Sequence, residues 1–216
     1  MNNIYSNYWE RKKLLREKVP RRFEVIQYTN SESMEAIEDI FFQVLKESAT
    51  VLDFGAGDMR IKNKMLKAGY KGKYETLDLS DGGNYTYRDL KEVTKKFDVI
   101  LCLDVIEHLS LTDGLGLTES LVKLLNPTGA LILQTPNARC VRNPLSWDMT
   151  HLHCYNAPDL WAYLTCMDLD VKGYRVHFTR PGFHPLTWIK NFISKIIITQ
   201  FLGMDYADNI VMVARK

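Results

Sequence analysis

The sequence lacks the marks of exported, membrane-spanning and disulfide-stabilised proteins. Its N-terminus is polar and charged, without the apolar segment of a signal peptide, and no apolar run reaches the length of a transmembrane helix. Its four cysteines include no C-x-x-C pair. These absences predict a cytoplasmic protein with reduced thiols, in which Cys102, inside an apolar run, packs as a small hydrophobic side chain. The other cysteines are Cys140, Cys154 and Cys166.

A large net charge is also missing. The 28 Lys and Arg side chains against 26 Asp and Glu leave +2, which is too little to predict a nucleic-acid partner and leaves a small-molecule acceptor open. Basic residues do cluster near the N-terminus, where interleaved glutamates favour a solvated helix face over a site for a phosphorylated acceptor. The cluster comprises Arg11, Lys12, Lys13, Arg16, Lys18, Arg21 and Arg22, with Glu10, Glu17 and Glu24 among them.

Neither internal repeats nor a low-complexity linker divides the chain, so we expect one domain over residues 1–216. The content of 46% hydrophobic and 25% charged residues is that of a folded protein with a full core. Periodicity predicts helices over residues 4–18 and 31–46, which would make residues 1–47 an N-terminal helical segment. From residue 50 onward strands and helices alternate, and this pattern predicts an α/β fold with a doubly wound sheet.

The most informative run is residues 51–60, an apolar strand that ends in an acidic residue and turns through two glycines into a helix. Gly55 and Gly57 lack a Cβ atom, so the turn can adopt positive φ and let backbone amides approach a ligand at the mouth of the strand. A dinucleotide-binding turn would carry a third glycine at position 60, where this chain has Arg60. The run therefore predicts a cofactor site and argues against nicotinamide and flavin cofactors.

A second predicted strand, residues 73–78, ends in Asp78, 21 residues after the second glycine of the turn. An ionised carboxylate accepts hydrogen bonds from both hydroxyls of a ribose, which makes Asp78 the predicted ribose ligand. Residues 97–109 follow as an apolar strand that runs into a polar cluster, and residues 124–137 as helix end, turn, buried strand and loop. These four ordered motifs resemble class I S-adenosylmethionine (SAM)-dependent methyltransferases over residues 50 to about 178.

The resemblance implies a seven-stranded, mostly parallel sheet of the Rossmann-like methyltransferase type, whose last strand, residues 209–215, runs antiparallel to the rest. It implies SAM as the cofactor and methyl transfer to a hydroxyl of a sugar, nucleotide sugar or related small metabolite. The cofactor contacts that it implies lie at strand ends and in the loops that follow them. They are Asp53, Gly55, Ala56, Gly57, Asp78, Leu79, Asp89, Leu90 and Leu103.

Transfer to a hydroxyl requires a group that removes its proton, and an imidazole, with an ordinary pKa of about 6.5, suits that task. The candidates are His108, after the third apolar strand, and His151 and His153 in a T-H-x-H segment. This segment resembles the acceptor-lining segment of methyltransferases that act on sugars, and in an extended conformation its two imidazoles would point the same way. Either imidazole could instead brace the helix that follows. Asp104 is a further candidate base.

The residues Asp104, Glu107 and His108 open an alternative that uses a divalent metal. If the chain is helical after Leu103, positions i, i+3 and i+4 share one face and can ligate an ion that polarises a diol or catechol. A similar E-x-x-E-H arrangement occurs in ubiquinone-pathway O-methyltransferases and in small-RNA end methyltransferases. Endings of the D-V-I-E-H-L type also occur in methyltransferases that need no metal, and we favour that interpretation.

Further alternatives concern partners. An RNA-end methyltransferase and an inactive methyltransferase-fold subunit stand beside the small-molecule enzyme. The RNA-end alternative would need His151 or His153 to complete the metal site and a basic groove to hold phosphates, and the intact acidic strand ends argue against inactivity. Tyr5, Tyr8 and Trp9 would let residues 1–47 form a lid over the cofactor crevice, or they pack on the core. Residues 180–205 carry an amphipathic helical pattern inserted before the last strand. Its apolar face would cover the core, or serve a homodimer or a peripheral membrane contact.

Overall fold

The computed structural model describes residues 7–29, 31–178, 197 and 204–216. Its strands are β1 (Glu24–Tyr28), β2 (Thr50–Phe54), β3 (Lys73–Leu77), β4 (Phe97–Leu103), β5 (Leu125–Pro136), β6 (Asp170–Phe178) and β7 (Asn209–Arg215). Its α-helices are α1 (Tyr8–Glu17), α2 (Ala36–Leu45), α3 (Arg60–Lys67), α4 (Leu111–Lys123) and α5 (Ala157–Thr165), and short 3-10 helices span Leu90–Glu92, Ile106–His108 and Pro144–Ser146.

The seven strands form one sheet in the order β1-β6-β7-β5-β4-β2-β3. β7 runs antiparallel to both of its neighbours, β5 and β6, and the other adjacent strands pair in parallel. The predicted doubly wound sheet with an antiparallel last strand is therefore confirmed. The carboxyl ends of β2, β4 and β5 meet at one edge of the sheet, which is where open α/β sheets bind their ligands.

The apolar strands place the core on both faces of the sheet. Along β4, Val99 and Leu101 belong to the core on one face, and Ile100 and Cys102 to the core on the other. All four side chains are buried, as expected for a central strand covered by helices on both sides. Cys102 thus packs as a small hydrophobic residue, as predicted, and the four cysteines are free thiols.

The N-terminal segment is not wholly helical, and the prediction over residues 1–47 was wrong for residues 24–28. This stretch forms β1, which pairs in parallel with β6 at the edge of the sheet. Ile26 and Tyr28 point into the core while Gln27 between them is exposed. That alternation suits a strand, and the open edge of β6 supplies the backbone partners that a sequence pattern does not reveal.

Both predicted N-terminal helices are present in shorter form. α1 lies against α5, and its Trp9 remains 80% exposed, while Tyr5 lies outside the described residues. α2 begins after Glu35, whose backbone N–H donates to Glu38 Oε2 at 3.0 Å. Glu38 also forms a buried ion pair with Lys64 at 2.7 Å, which ties α2 to α3. A lid role for the segment stays a prediction.

The predicted amphipathic helix over residues 180–205 falls almost entirely outside the described residues, which include only Ile197 and residues 204–205 of it. Its proposed roles in core covering, dimerisation or membrane contact stay predictions. Within the described ranges, no helix combines the length and the apolar character that crossing a membrane requires.

Candidate functional site

The turn between β2 and α3 adopts the left-handed conformation three times in five residues. Gly55 has φ +78°, Gly57 has φ +47° and Met59, the residue before α3, has φ +59°. A Cβ atom on Gly55 would lie 2.3 Å from Val105 Cγ2, so this position requires glycine for space as well as for conformation. On Gly57 a Cβ atom would meet nothing closer than 4.0 Å, so this glycine borders open space. The turn therefore leaves room for a ligand to lie against its backbone at Gly57.

Asp78 braces this turn from the end of β3. Its Oδ2 accepts a hydrogen bond from the Gly57 N–H at 2.8 Å, and its Oδ1 accepts one from the Ser80 N–H at 2.8 Å. Partial burial by itself would raise the pKa of Asp78, but the two backbone N–H donors stabilise the ionised form more strongly, so the pKa is lowered. The predicted ribose ligand is thus an ionised carboxylate held against the glycine turn.

Asp53, the acidic residue at the end of β2, is 3% exposed. Among the described residues, one side chain donates a hydrogen bond to it. The Tyr74 hydroxyl donates to Asp53 Oδ2 at 2.8 Å. Burial raises the pKa of Asp53 to about 6, although the bond from Tyr74 and the charge of Lys62 oppose the shift. A cationic ligand beside this carboxylate would stabilise its charged form.

A cavity of about 500 Å³ opens beside the glycine turn, a volume typical of small-molecule sites. The predicted residues Asp53, Gly55, Ala56, Gly57, Leu103 and Asp104 all line it, together with an apolar wall of Tyr28, Ile37, Phe41, Val176 and Phe178. Five predicted cofactor contacts and one candidate base, Asp104, thus surround one cavity.

The remaining predicted cofactor residues, Asp78, Leu79, Asp89 and Leu90, lie outside the walls of that cavity. Leu79 is 78% exposed, and Leu90 packs partly buried against the core. Asp89 is exposed and accepts a hydrogen bond from the Lys91 N–H at 2.9 Å, which caps the 3-10 helix that follows. Roles for these residues at the ribose and adenine of a cofactor stay predictions.

Asp104 adopts a left-handed conformation with φ +54° directly after β4. Its carboxylate accepts hydrogen bonds from Gln134 Nε2 at 2.8 Å and from Asn209 Nδ2 at 3.1 Å. Burial raises the pKa of Asp104, while the hydrogen bond from Gln134 and the charge of Arg60 oppose the shift. Asp104 is therefore a wall residue of the cavity, fixed by two neutral amides.

The helical face that would join Asp104, Glu107 and His108 does not form. β4 ends at Leu103, the left-handed Asp104 redirects the chain, and the 3-10 helix that follows begins only at Ile106. The structure instead brings His151 to Glu107 and His108, so that one potential ligand atom from each residue lies within 4.8 Å of the others. The predicted metal set thus loses Asp104 and includes His151, one of the two histidines expected to complete such a site.

Glu107 is fully buried in this cluster. Its Oε2 accepts a hydrogen bond from Thr135 Oγ1 at 3.0 Å, and its Oε1 has no hydrogen-bond partner among the described residues. Burial, together with the charge of Asp104, raises the pKa of Glu107 to about 8. A buried carboxylate oxygen without a protein partner is destabilising, so a donor or a cation bound beside it would be stabilising.

The imidazoles of His108 and His151 meet edge to face, with ring centroids 4.8 Å apart. His108 Nδ1 contacts Thr150 Oγ1 at 2.7 Å, and His151 Nδ1 contacts the Pro144 carbonyl oxygen at 2.8 Å. A carbonyl only accepts, so His151 donates from Nδ1 and its neutral ring keeps a lone pair on Nε2. That nitrogen can accept a proton or bind a cation.

His153 is turned away from this pair, so the expectation that His151 and His153 point the same way was wrong. The backbone N–H groups of Leu152 and His153 both donate to the Glu107 carbonyl oxygen, which breaks the alternation of an extended chain. The His153 ring packs on Tyr155 with centroids 4.7 Å apart, and burial lowers its pKa. It lines a second cavity of about 210 Å³, between α1, α4 and α5.

Three side chains that complete the site were not predicted. Tyr74 donates to Asp53, Gln134 to Asp104 and Thr135 to Glu107, across sequence separations of 21, 30 and 28 residues. No local periodicity marks such pairs. For Thr135 the available signal was the run Thr135-Pro136-Asn137, at the end of the predicted strand and loop within residues 124–137.

Solved methyltransferase structures share this fold at low sequence identity. A SAM-dependent methyltransferase from Archaeoglobus fulgidus is 15% identical, with a TM-score of 0.64 over 84% of this chain and 92% of that one. The 1,6-didemethyltoxoflavin-N1-methyltransferase of Burkholderia thailandensis, solved with S-adenosylhomocysteine, is 18% identical, with a TM-score of 0.56 over 83% and 76%. The small RNA methyltransferase HEN1 is 17% identical, with a TM-score of 0.56 over 87% of this chain and 27% of that one.

No curated protein matches the sequence. A family model described as a methyltransferase domain matches residues 17–175, well over half of the chain. The matched range contains the glycine turn, Asp78 and the cluster of Glu107, His108 and His151. With the sheet order and the cavity beside the turn, this match establishes that the chain belongs to the class I SAM-dependent methyltransferase family.

Proposed function

We propose that this methyltransferase acts on a hydroxyl group of a small metabolite, in the class of sugars and nucleotide sugars. The observation that carries the proposal is the pair of imidazoles, His108 and His151, which lie within electrostatic reach of Asp104 in the wall of the cofactor cavity. A hydroxyl oxygen must lose its proton as it attacks a methyl group, whereas a neutral amine or ring nitrogen attacks with a lone pair. A site with imidazole bases is therefore suited to oxygen acceptors.

The residues around the cavity fit SAM. The glycine turn borders the cavity without a side chain at Gly57, the cavity volume is adequate, and Asp53 is a buried carboxylate that a cationic amino group would stabilise. Asp53, Gly57 and Leu103 would hold the amino-acid half of the cofactor, and Asp78 the ribose. Bound SAM supplies a methyl group on a positively charged sulfur. The chain's own part is to orient the acceptor and to take its hydroxyl proton on an imidazole nitrogen.

Gly57→Leu and Asp78→Ala are expected to weaken SAM binding. Leucine at φ +47° is strained, and its side chain would stand on the open side of the turn. Asp78→Ala removes the predicted ribose acceptor and the bond that holds the Gly57 N–H, a loss of roughly 1.5–3 kcal/mol, or about 10- to 100-fold in Kd. Isothermal titration calorimetry measures the effect, with the exposed Asp81→Ala as control. Normal affinity in both variants would contradict these cofactor contacts.

SAM affinity is also expected to fall as the pH drops through about 6. Asp53 is ionised above its pKa of about 6 and attracts the cationic cofactor, and it is neutral below that value. Tyr74→Phe removes a hydrogen bond that stabilises the charged form, so the midpoint of the binding profile should move to higher pH. Asp53→Asn should bind more weakly and without this transition. A wild-type Kd that stays constant from about pH 5 to 8 would show that Asp53 does not contact the cofactor's charge.

A metal-assisted reaction is the second candidate, and one observation favours it. Glu107 Oε1 is buried without a partner, and His108 and His151 each offer a ring nitrogen in the same cluster. Two imidazoles and one carboxylate suit a borderline divalent ion such as Mn²⁺ or Zn²⁺ better than an ion that prefers only oxygen. These three residues would hold the ion, which would lower the pKa of an acceptor hydroxyl bound to it. The acceptor would then be a catechol, another diol or an RNA end.

One screen separates the two candidates. The protein is mixed with S-adenosylhomocysteine and a panel of nucleotide sugars, catechols and short RNAs, with EDTA or with Mn²⁺, and thermal shifts are recorded. Acceptors that stabilise the protein are then incubated with SAM and analysed by mass spectrometry. Methylation of a sugar hydroxyl in EDTA supports the first candidate, and methylation of a diol only with Mn²⁺ supports the second. Methylation on nitrogen or carbon alone would contradict both.

A further inference from the structure

A short chain of hydrogen bonds runs from His108 to an exposed acid, Asp148, on the loop between β5 and α5. His108 Nδ1 and Thr150 Oγ1 are 2.7 Å apart. The Thr150 hydroxyl donates its proton to Asp148 Oδ1 at 2.6 Å, and the Thr150 backbone N–H donates to the same oxygen at 2.8 Å. These two bonds lower the pKa of Asp148, so it is an ionised acceptor at neutral pH.

The direction of this chain determines the tautomer of His108. A threonine hydroxyl has one proton, and here Asp148 receives it, so the oxygen can only accept from the imidazole. His108 must then carry its proton on Nδ1, and its neutral ring keeps a lone pair on Nε2. We propose that Asp148 and Thr150 are positioning residues, which hold His108 in the Nδ1–H tautomer and leave Nε2 free to take the acceptor proton. This proposal rests on the function of His108 as a base.

His151 reaches the same tautomer through a different partner. Its Nδ1–H donates to the Pro144 carbonyl oxygen, in the short 3-10 helix of the same loop. That helix is itself held by local bonds, since Asn143 Oδ1 accepts from the Leu145 N–H at 3.1 Å and Ser146 donates to the Asn143 carbonyl at 2.7 Å. The loop therefore prepares both imidazoles in advance, and only one of them depends on Thr150.

The loop that carries Thr150 and His151 is also hydrogen-bonded to the backbone of Glu107, and these bonds hold the loop beside His108. The Leu152 and His153 N–H groups donate to the Glu107 carbonyl oxygen at 2.8 and 3.1 Å, directly beside His108 in the sequence. Besides Thr150, the groups that face His108 are the His151 ring, the charge of Asp148 and the carboxyl groups of Glu107 and Asp104. Thr150 is the member of this set that bonds to His108 Nδ1.

The tautomer can be observed without knowledge of the acceptor. Long-range ¹H–¹⁵N correlation spectra of the ¹⁵N-labelled full chain, in EDTA at about pH 8.5, where ordinary imidazoles are neutral, distinguish Nδ1–H from Nε2–H rings. His108→Gln and His151→Gln assign the two signals. We expect the Nδ1–H pattern for both rings in the wild type. Thr150→Val, of equal shape but without the hydroxyl, should shift His108 alone toward the Nε2–H form.

Two variants control for indirect effects. Thr150→Ser restores the hydroxyl and should restore the Nδ1–H pattern of His108. Ser146→Ala removes another hydroxyl of the same loop, which bonds only within it, and should leave His108 unchanged. Because Thr150 is exposed, these variants should fold normally. An Nε2–H pattern for His108 in the wild type, or no change in Thr150→Val, would overturn the proposal.

Rates measured with an acceptor from the screen separate this proposal from the proposed function. Thr150→Val should lower turnover by about 10- to 100-fold, the usual effect of removing the partner that orients an essential histidine, and Thr150→Ser should recover most of it. If the tautomer shifts as expected but His108→Ala keeps full activity, His108 is not the base, and the role assigned to Asp148 and Thr150 falls with it. If His108→Ala is inactive and Thr150→Val retains both the Nδ1–H pattern and full turnover, His108 remains the base and only the positioning role of Asp148 and Thr150 is wrong.

Discussion

The free energy of unfolding of Glu107→Gln, relative to that of the wild type, is expected to rise by about 3 kcal/mol as the pH is raised from 5 to 8. The cause is the buried carboxyl group, whose pKa burial and Asp104 raise from an ordinary 4.5 to about 8. Between those values the folded protein keeps a proton that the unfolded chain has released. The stability associated with the protonated group is therefore complete below about pH 4.5 and is lost as the pH rises through 8. Glutamine does not titrate, so the variant escapes this loss.

Urea denaturation at pH 5 and pH 8, in EDTA, measures the effect as a difference between the two proteins. In thermal unfolding the same change amounts to roughly 6–12 °C in Tm at pH 8 for a domain of this size. The exposed Glu47→Gln provides the control and should track the wild type at both pH values. Equal pH dependence in wild type and Glu107→Gln would mean that Glu107 is ionised and stabilised in the folded protein.

The expected gain also indicates why the residue is a glutamate. A buried carboxyl group with an unpartnered oxygen destabilises the apo protein at neutral pH, and such costs are concentrated at functional sites. If the metal-assisted candidate is right, Mn²⁺ should raise the Tm of the wild type and have no such effect on Glu107→Gln. A Tm that Mn²⁺ leaves unchanged in both proteins would count against a metal at this cluster.

His108→Ala and His151→Ala are each expected to lower the rate of methyl transfer by about 100-fold or more, and His153→Ala by only a few-fold. General-base catalysis contributes about 10²–10⁴ in rate, and the metal-assisted alternative loses a ligand in the same two variants. His153 faces the second cavity, between α1, α4 and α5, and contacts Tyr155. It therefore serves as a matched control on the same loop.

Single-turnover rates with the acceptor from the screen measure these effects, and calorimetry should give a SAM affinity near that of the wild type in all three variants. A large effect of His153→Ala together with small effects of the other two variants would indicate that His153, in the second cavity, is the base. Full activity in all three would leave Asp104 or solvent as the proton acceptor. Loss of wild-type activity in EDTA and its return with Mn²⁺ would decide for the metal.

The cofactor side of the site could be predicted because its determinants are local in the sequence. An acidic strand end, two glycines in left-handed conformations and a helix start lie within ten residues, and one of these glycines has no room for a Cβ atom. The strands were also predictable, since apolar runs such as that of β4 bury both faces. Short-range patterns of this kind follow from backbone sterics and the period of the side chains, which act between close neighbours.

The proposed acceptor side of the site required the tertiary structure. A helical period places Asp104 with Glu107 and His108, but the left-handed backbone at Asp104 breaks that period. His151 reaches the cluster from 43 residues away because its loop bonds to the Glu107 carbonyl, and the same bonds turn His153 aside.

Within the described residues, the order of the sheet likewise came from long-range pairing, as with β1 on the free edge of β6. The sequence by itself thus determined the fold class, the glycine turn and which residues can titrate. Only the tertiary structure decided which of them meet, which stay buried and which nitrogen of an imidazole carries the proton. These properties depend on hydrogen-bond partners and solvent exclusion between distant segments, and no local pattern encodes them.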